Sequence, residues 1–174
     1  MTHAPDAGDA AAAALRLALN GVPSEQVVVL CVGNPERGDD GYGPAVAARL
    51  VGRVRSRVFD CGTTPENDLP AAAECAPRVA LFVDAVHVGE PPGTMALFSP
   101  DDLRSDDFST HAGSLGIAAE FLREACGARV LLLAAQPAQC ELHGELGPQM
   151  RAAVEDTAEL LSDLLGGQAS SEVT

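Results

Sequence analysis

The sequence predicts an α/β protein, a three-layer α/β/α domain on a mostly parallel five-stranded sheet. Three observations carry that prediction. Short apolar runs alternate along the chain with segments of helical periodicity, the pattern of strand–helix units. Two of the runs, Val79-Ala80-Leu81-Phe82-Val83 and the one within Arg129–Ala135, are continuously apolar, as central strands covered on both faces are. The polar, glycine-rich stretches fall after the runs, where an open sheet presents its strand ends to a ligand.

Each element has its own justification. The first strand is Gln26–Val32, an apolar run rich in β-branched residues that stops at Gly33-Asn34. A loop with several glycines and the adjacent acids Asp39 and Asp40 follows. A helix then begins around Pro44, with Val46, Ala47 and Leu50 on one face, and ends near Gly52 or Arg53. Arg57–Asp60 is a short second strand. Thr64-Pro65-Glu66 opens a helix that runs to about Cys75. Arg78–Val86 is the third strand, with Asp84 at its carboxyl end. After the turn Pro91-Pro92-Gly93, Thr94–Phe98 is a fourth strand at a sheet edge. Ser99-Pro100-Asp101-Asp102 has the form of a helix cap with proline at the first helical position. Residues 114–125 read as a helix, Arg129–Ala135 as the fifth strand and Pro148–Leu165 as the last helix, with Met150, Val154, Ala158 and Leu161 at helical spacing. Residues 1–24 are expected to be a flexible segment, a loose helix around Ala11–Leu19 or disordered. Residues 25–166 form a single domain, and 167–174 a polar, flexible tail.

Composition narrows the function classes. Aromatic residues make up 3% of the chain and tryptophan is absent, so aliphatic side chains and alanine must fill the core. The formal charge of −14 disfavours nucleic acid and anionic membrane surfaces, and is compatible with a metal ion or a basic partner. All 11 basic residues are arginine, which excludes a P-loop lysine, a Schiff-base lysine and a Ser–Lys dyad. The five cysteines are odd in number and contain no CxxC, so neither a disulfide framework nor a four-thiolate zinc site is expected. No apolar run approaches the roughly 18 residues of a membrane span, and no secretory signal pattern is visible. A cytoplasmic monomer is the expectation.

Polar residues after three of the strands are the candidates for chemistry. They are Asp39 and Asp40 after the first, Asp84 with His87 after the third, and Ser109-Thr110-His111 beyond the fourth. Two carboxylates and an imidazole form an oxygen and nitrogen donor set suited to a divalent transition metal such as nickel, zinc or iron. Singly, an aspartate at a helix start is more often a cap than a ligand, and a histidine before a helix is more often a surface residue. The combination at strand ends favours the metal. A dinucleotide site fits poorly: Gly33, Gly38, Gly41 and Gly43 do not make GxGxxG, and Glu36, Asp39 and Asp40 would repel a pyrophosphate. Cys31 and Cys61 lie in or beside buried strands, unlike a reactive thiolate. Cys140-Glu141-Leu142-His143 offers a second ligand pair, but a buried thiol and a loop histidine is the better reading. No Gly-x-Ser-x-Gly elbow is present.

Ordered motifs add a resemblance. Leu30-Cys31-Val32-Gly33-Asn34 with Gly38-Asp39-Asp40-Gly41-Tyr42-Gly43-Pro44 resembles the N-terminal signature of the [NiFe]-hydrogenase maturation endopeptidases. Asp60-Cys61-Gly62-Thr63 resembles that family's Asp-Gly-Gly-Thr/Ser, and Pro65-Glu66-Asn67-Asp68 its formate-linked hydrogenase branch. Val83-Asp84-Ala85, Pro92-Gly93-Thr94-Met95, Thr110-His111 before a helix and Gln136-Pro137 follow in order, so that the resemblance runs from about Gln26 to Leu165.

The resemblance implies a peptidase domain that removes the C-terminal extension of a nickel-loaded hydrogenase large-subunit precursor. The family's two carboxylates and histidine map onto Asp40, Asp84 and His111, which would contact nickel carried by the precursor and serve the cleavage. The protease need not hold a metal of its own at rest. Gly33, Asn34, Asp39, Gly41, Gly62 and Thr63 are the candidates for loops that meet the substrate. Cys61 replaces a usual glycine, Pro35-Glu36-Arg37 is more polar than the pair often found there, and Ala112-Gly113-Ser114 follows His111 where relatives vary. All three bear on substrate choice. His87 lies outside the implied triad. The alternatives are a non-catalytic chaperone that checks nickel loading, and a metal-dependent hydrolase of small molecules, which would bind metal tightly by itself.

Overall fold

A computed structural model describes residues 7–99, 102 and 111–166. Along the chain the elements are α1 (Ala7–Leu19), β1 (Val27–Val32), α2 (Tyr42–Leu50), β2 (Arg57–Gly62), α3 (Leu69–Glu74), β3 (Val79–Ala85), β4 (Met95–Phe98), α4 (His111–Cys126), β5 (Arg129–Ala135) and α5 (Pro148–Leu165). Among the described residues the five strands form one sheet in the order β2-β1-β3-β5-β4. All pairings are parallel except β4 with β5, so the antiparallel strand lies at an edge, as expected.

Alternation along the strands builds two cores. Val27, Val29 and Cys31 of β1, Val79, Leu81, Val83 and Ala85 of β3 and Leu131, Leu133 and Ala135 of β5 face one side, where α1, α2 and α5 cover them. Val28, Leu30, Ala80, Phe82, Val130, Leu132 and Ala134 face the other, covered by α3 and α4. Every residue of β3 is buried, which is why its sequence shows no polar alternation. Tyr42 is one of the largest fully buried side chains, and the other large ones are mainly leucines, as a chain poor in aromatics requires.

The structure differs from the sequence reading at several boundaries. Residues 7–19 are not a loose or structureless segment: α1 buries Ala11, Leu15 and Leu19 in the first core, and Leu15 is fully buried. Burying one such leucine is worth about 1.5–3 kcal/mol, which adds tertiary anchoring to a helix whose alanines and leucines already favour it. The expected helix from Thr64 to Cys75 is split into a 3₁₀ turn, Pro65–Asn67, and α3. Pro70 is the cause, because a continuous helix would place its ring against the carbonyl of Glu66 and leave it no N–H to donate. A second 3₁₀ turn, Gly38–Gly41, leads into α2, which starts two residues before Pro44. β2 runs two residues beyond Asp60, and α4 begins at His111 rather than Ser114. Of the cap at 99–102, Pro100 and Asp101 lie outside the described residues. The backbone and hydroxyl of Ser99 both donate to Asp102 Oδ2, at 2.7 Å each. The tail at 167–174 is also outside them. Among the described residues no helix is long and apolar enough to cross a membrane.

Candidate active site

The strand ends of β1, β2 and β3 are drawn together by backbone contacts that leave no room for side chains. Gly33 has φ of +143°, and a Cβ there would lie 2.0 Å from the carbonyl oxygen of Asp40. Its N–H donates to the carbonyl of Gly62 at 2.9 Å, tying the loop after β1 to the end of β2. The next amide, Asn34, donates to Asp40 twice, to its backbone oxygen and to Oδ2, at 3.0 Å each. Gly43 lets the first turn of α2 press on the strand ends, where a Cβ would lie 2.1 Å from the Val32 oxygen and 2.8 Å from that of Val83. The half-buried carboxylate of Asp40 is therefore held by the loop that carries it.

Asp84 reaches the same region from β3. It is 8% exposed, and burial followed by the negative charge of Asp40 pushes its carboxyl up to about 8, against the opposing effect of the Ala85 amide. Near neutral pH the pair therefore holds a proton that two isolated aspartates would have lost. A divalent cation between them would take that proton's place and relieve both burial and repulsion. His111 is the first residue of α4. Its side chain, with Ser109 and Thr110, lies outside what the structure describes. Among the described residues, no set of three His, Cys, Asp or Glu side chains is arranged to hold a metal.

The other candidates fall into distinct places. Asn34 turns its Oδ1 back to accept the Glu36 amide at 2.9 Å. Gly41 packs against Pro35, and a Cβ there would lie 3.1 Å from the proline Cα. Gly62 sits in the left-handed region at φ +53°, and Thr63 beside it is exposed. Asp39 does not face solvent: it is fully buried, with its carboxylate accepting backbone amides from Ala138, Gln139 and Gly147. His87 is exposed, and its Nδ1 lies 3.1 Å from Gln136 Nε2.

Gln136 has a structural role that the sequence reading missed. Buried at the end of β5, it accepts the amides of Val88 at 2.8 Å, Gly89 at 3.0 Å and Glu90 at 3.4 Å on Oε1, fixing the loop after Asp84. The available signal was an amide directly after a continuously apolar strand, where a polar side chain needs partners.

Thiolate chemistry finds no support in the geometry. Burial pushes Cys31 up to about 12 and raises Cys61 as well. Cys140 is raised by burial and then by the charges of Asp40 and Asp39. These thiols stay protonated near neutrality, when a nucleophilic cysteine needs the opposite shift.

Comparison with known proteins settles the family. Residues 44–164 match the family described as HycI, hydrogenase maturation protease. The chain belongs to the hydrogenase maturation protease family. It is 38% identical over 113 residues to the hydrogenase 3 maturation protease of Escherichia coli K12, a match that spans 63% of this chain and 72% of that one. Among solved structures, a [NiFe] hydrogenase maturation protease HycI from Thermococcus kodakarensis superposes with a TM-score of 0.79 at 31% identity, covering 87% of this chain and 98% of the other. A hydrogenase 3 maturation protease crystal structure gives 0.72 at 33% identity, covering 84% and 93%. The same five-stranded α/β architecture is thus that of the maturation proteases, and the chain is a peptidase of the hydrolase class.

Proposed function

We propose that this protease removes the C-terminal extension of a [NiFe]-hydrogenase large-subunit precursor that already carries nickel. Asp40 and Asp84 contact that nickel, and His111 at the head of α4 completes the contact. The nickel belongs to the substrate, so the protease reads the metal as evidence that the precursor is loaded. The observation that carries the reading is the carboxyl pair: Asp84 is buried, and Asp40 raises it further to about 8. Such a pair is poorly satisfied alone and well satisfied by a divalent cation. On engagement Asp84 gives up its proton, and the two carboxylates hold the nickel-bearing end of the precursor so that the scissile peptide lies within reach of the metal's polarising charge.

The test is a mass-spectrometric processing assay with the large-subunit precursor, with and without inserted nickel. Loss of a C-terminal peptide from the nickel-loaded form alone is expected. Equal cleavage of both forms would remove the metal from recognition, and binding without cleavage would assign the chain a checking role. Asp40→Ala and His111→Ala are each expected to abolish processing.

A further inference from the structure

The fully buried carboxylate of Asp39 has no basic partner among the described residues. Three backbone amides satisfy it instead, all about a hundred residues away in sequence. Oδ2 accepts Ala138 at 2.8 Å and Gln139 at 3.1 Å, and Oδ1 accepts Gly147 at 2.7 Å. These amides belong to the long loop between β5 and α5. Further bonds run alongside: Gly38 N–H to the Gly144 carbonyl at 3.1 Å, Asp39 N–H to the Gln139 carbonyl at 3.0 Å, and an Arg37 guanidinium N–H to the Cys140 carbonyl at 3.2 Å. The same carboxylate stands at the start of the 18-residue α5, which no side-chain cap closes, so its charge also faces the positive end of that helix.

A buried charge is costly and is kept only where its hydrogen bonds are complete. An apolar residue at position 39 would orphan three amides at once. The next residue in the chain is Asp40, within the same tight 3₁₀ turn, so whatever fixes the backbone of Asp39 fixes where the Asp40 side chain leaves the chain, and the Asn34 amide then holds its carboxylate. We propose that Asp39 is a positioning residue of the peptidase site, clamping the β5–α5 loop to the β1–α2 loop and thereby holding Asp40 toward Asp84. The inference rests on Asp40 as a contact of the substrate's nickel.

Asp39→Asn tests it with two independent readouts. The amide keeps the shape but offers an N–H where one oxygen accepted a proton donor. Amide hydrogen exchange at Ala138, Gln139 and Gly147 is expected to quicken about tenfold or more, together with that of Asn34, whose N–H is held by both the backbone oxygen and the carboxylate of Asp40. Processing of nickel-loaded precursor is expected to lose roughly a hundredfold in kcat with KM nearly unchanged, the signature of a misplaced group. Thr157→Val, which removes the bond between Tyr42 Oη and Thr157 Oγ1, is the matched control and is expected to lose stability but not kcat. Where Asp39→Asn does not fold, Gly147→Ala presses a methyl group against Asp39 Oδ1 from 3.1 Å and is expected to show a milder form of both effects. Faster exchange at the three loop amides with Asn34 protected and kcat intact would make Asp39 structural only and overturn the proposal. So would a lost kcat with the loop amides still protected. Asp40→Ala, measured alongside, tests the metal contact through activity, while amide exchange tests the clamp without it.

Discussion

Replacing Asp84 with asparagine is expected to stabilise the metal-free protein while abolishing its activity, and the size of the gain follows from the site. The folded protein holds the Asp84 carboxyl up to about 8, against an ordinary 3.8. A group that binds its proton more tightly when folded gives stability that is complete below the unfolded value and is lost as pH rises toward the folded one. The window therefore runs from about pH 4 to pH 8, and at its upper end wild type has lost on the order of 5 kcal/mol. Asparagine keeps the volume and never ionises, so Asp84→Asn escapes that loss. The difference in unfolding free energy between variant and wild type is expected to grow by about 4 kcal/mol from pH 5 to pH 8. Urea denaturation of both proteins in the presence of a chelator, at half-unit pH steps, measures it directly. Groups that titrate alike in the two proteins cancel in the difference. A difference that stays constant within about 1 kcal/mol across that range would refute the reasoning, because it would mean that Asp84 releases its proton as freely when folded as when unfolded.

Three further outcomes follow from the same structure. Asp40→Asn should bring the Asp84 carboxyl down from about 8 while burial keeps it above the ordinary range, read by carboxyl-carbon NMR titration; an unmoved titration would separate the two groups. Leu15→Ala, in the helix expected from sequence to be loose, should cost about 2–5 kcal/mol in urea denaturation, and a cost near zero would detach α1 from the core. Tyr42→Phe removes the 2.7 Å bond to Thr157 in a fully buried setting and should cost about 1–3 kcal/mol with processing retained, so a lost activity would place Tyr42 in the site.

The sheet was legible because its physics is local and periodic. β3 and β5 are covered on both faces, so they read as unbroken apolar runs, and β5 and α5 were placed to the residue. What local patterns missed was decided by distant contacts. The alanine-rich α1 carries few bulky residues to mark a buried face, and it is Leu15 and its neighbours meeting the sheet that make it part of the core. Pro70 broke the helix that Thr64-Pro65-Glu66 announced, a signal present in the sequence and outweighed there by the stronger start pattern. At the site, sequence placed Asp40 and Asp84 at neighbouring strand ends, since parallel strands put all their carboxyl termini on one side. It could not tell Asp39 from Asp40. Two adjacent acids in one loop look alike until the fold turns one inward onto the amides of residues 138, 139 and 147 and leaves the other beside Asp84.

That division of labour between adjacent acids bears on why the site tolerates its own electrostatics. The chain already carries a formal charge of −14, so concentrating further negative charge at one end of the sheet works against the folded state. Asp39 offsets the cost with hydrogen bonds from three backbone amides, whereas Asp84 avoids it by keeping its proton. Neither device satisfies Asp40, whose Oδ2 accepts a single amide, that of Asn34, among the described hydrogen bonds. The unsatisfied remainder is thus concentrated on the Asp40–Asp84 pair, where a cation arriving with a partner protein would gain most. On the proposed reading, the same repulsion that weakens the empty site would strengthen its hold on the nickel of a loaded precursor.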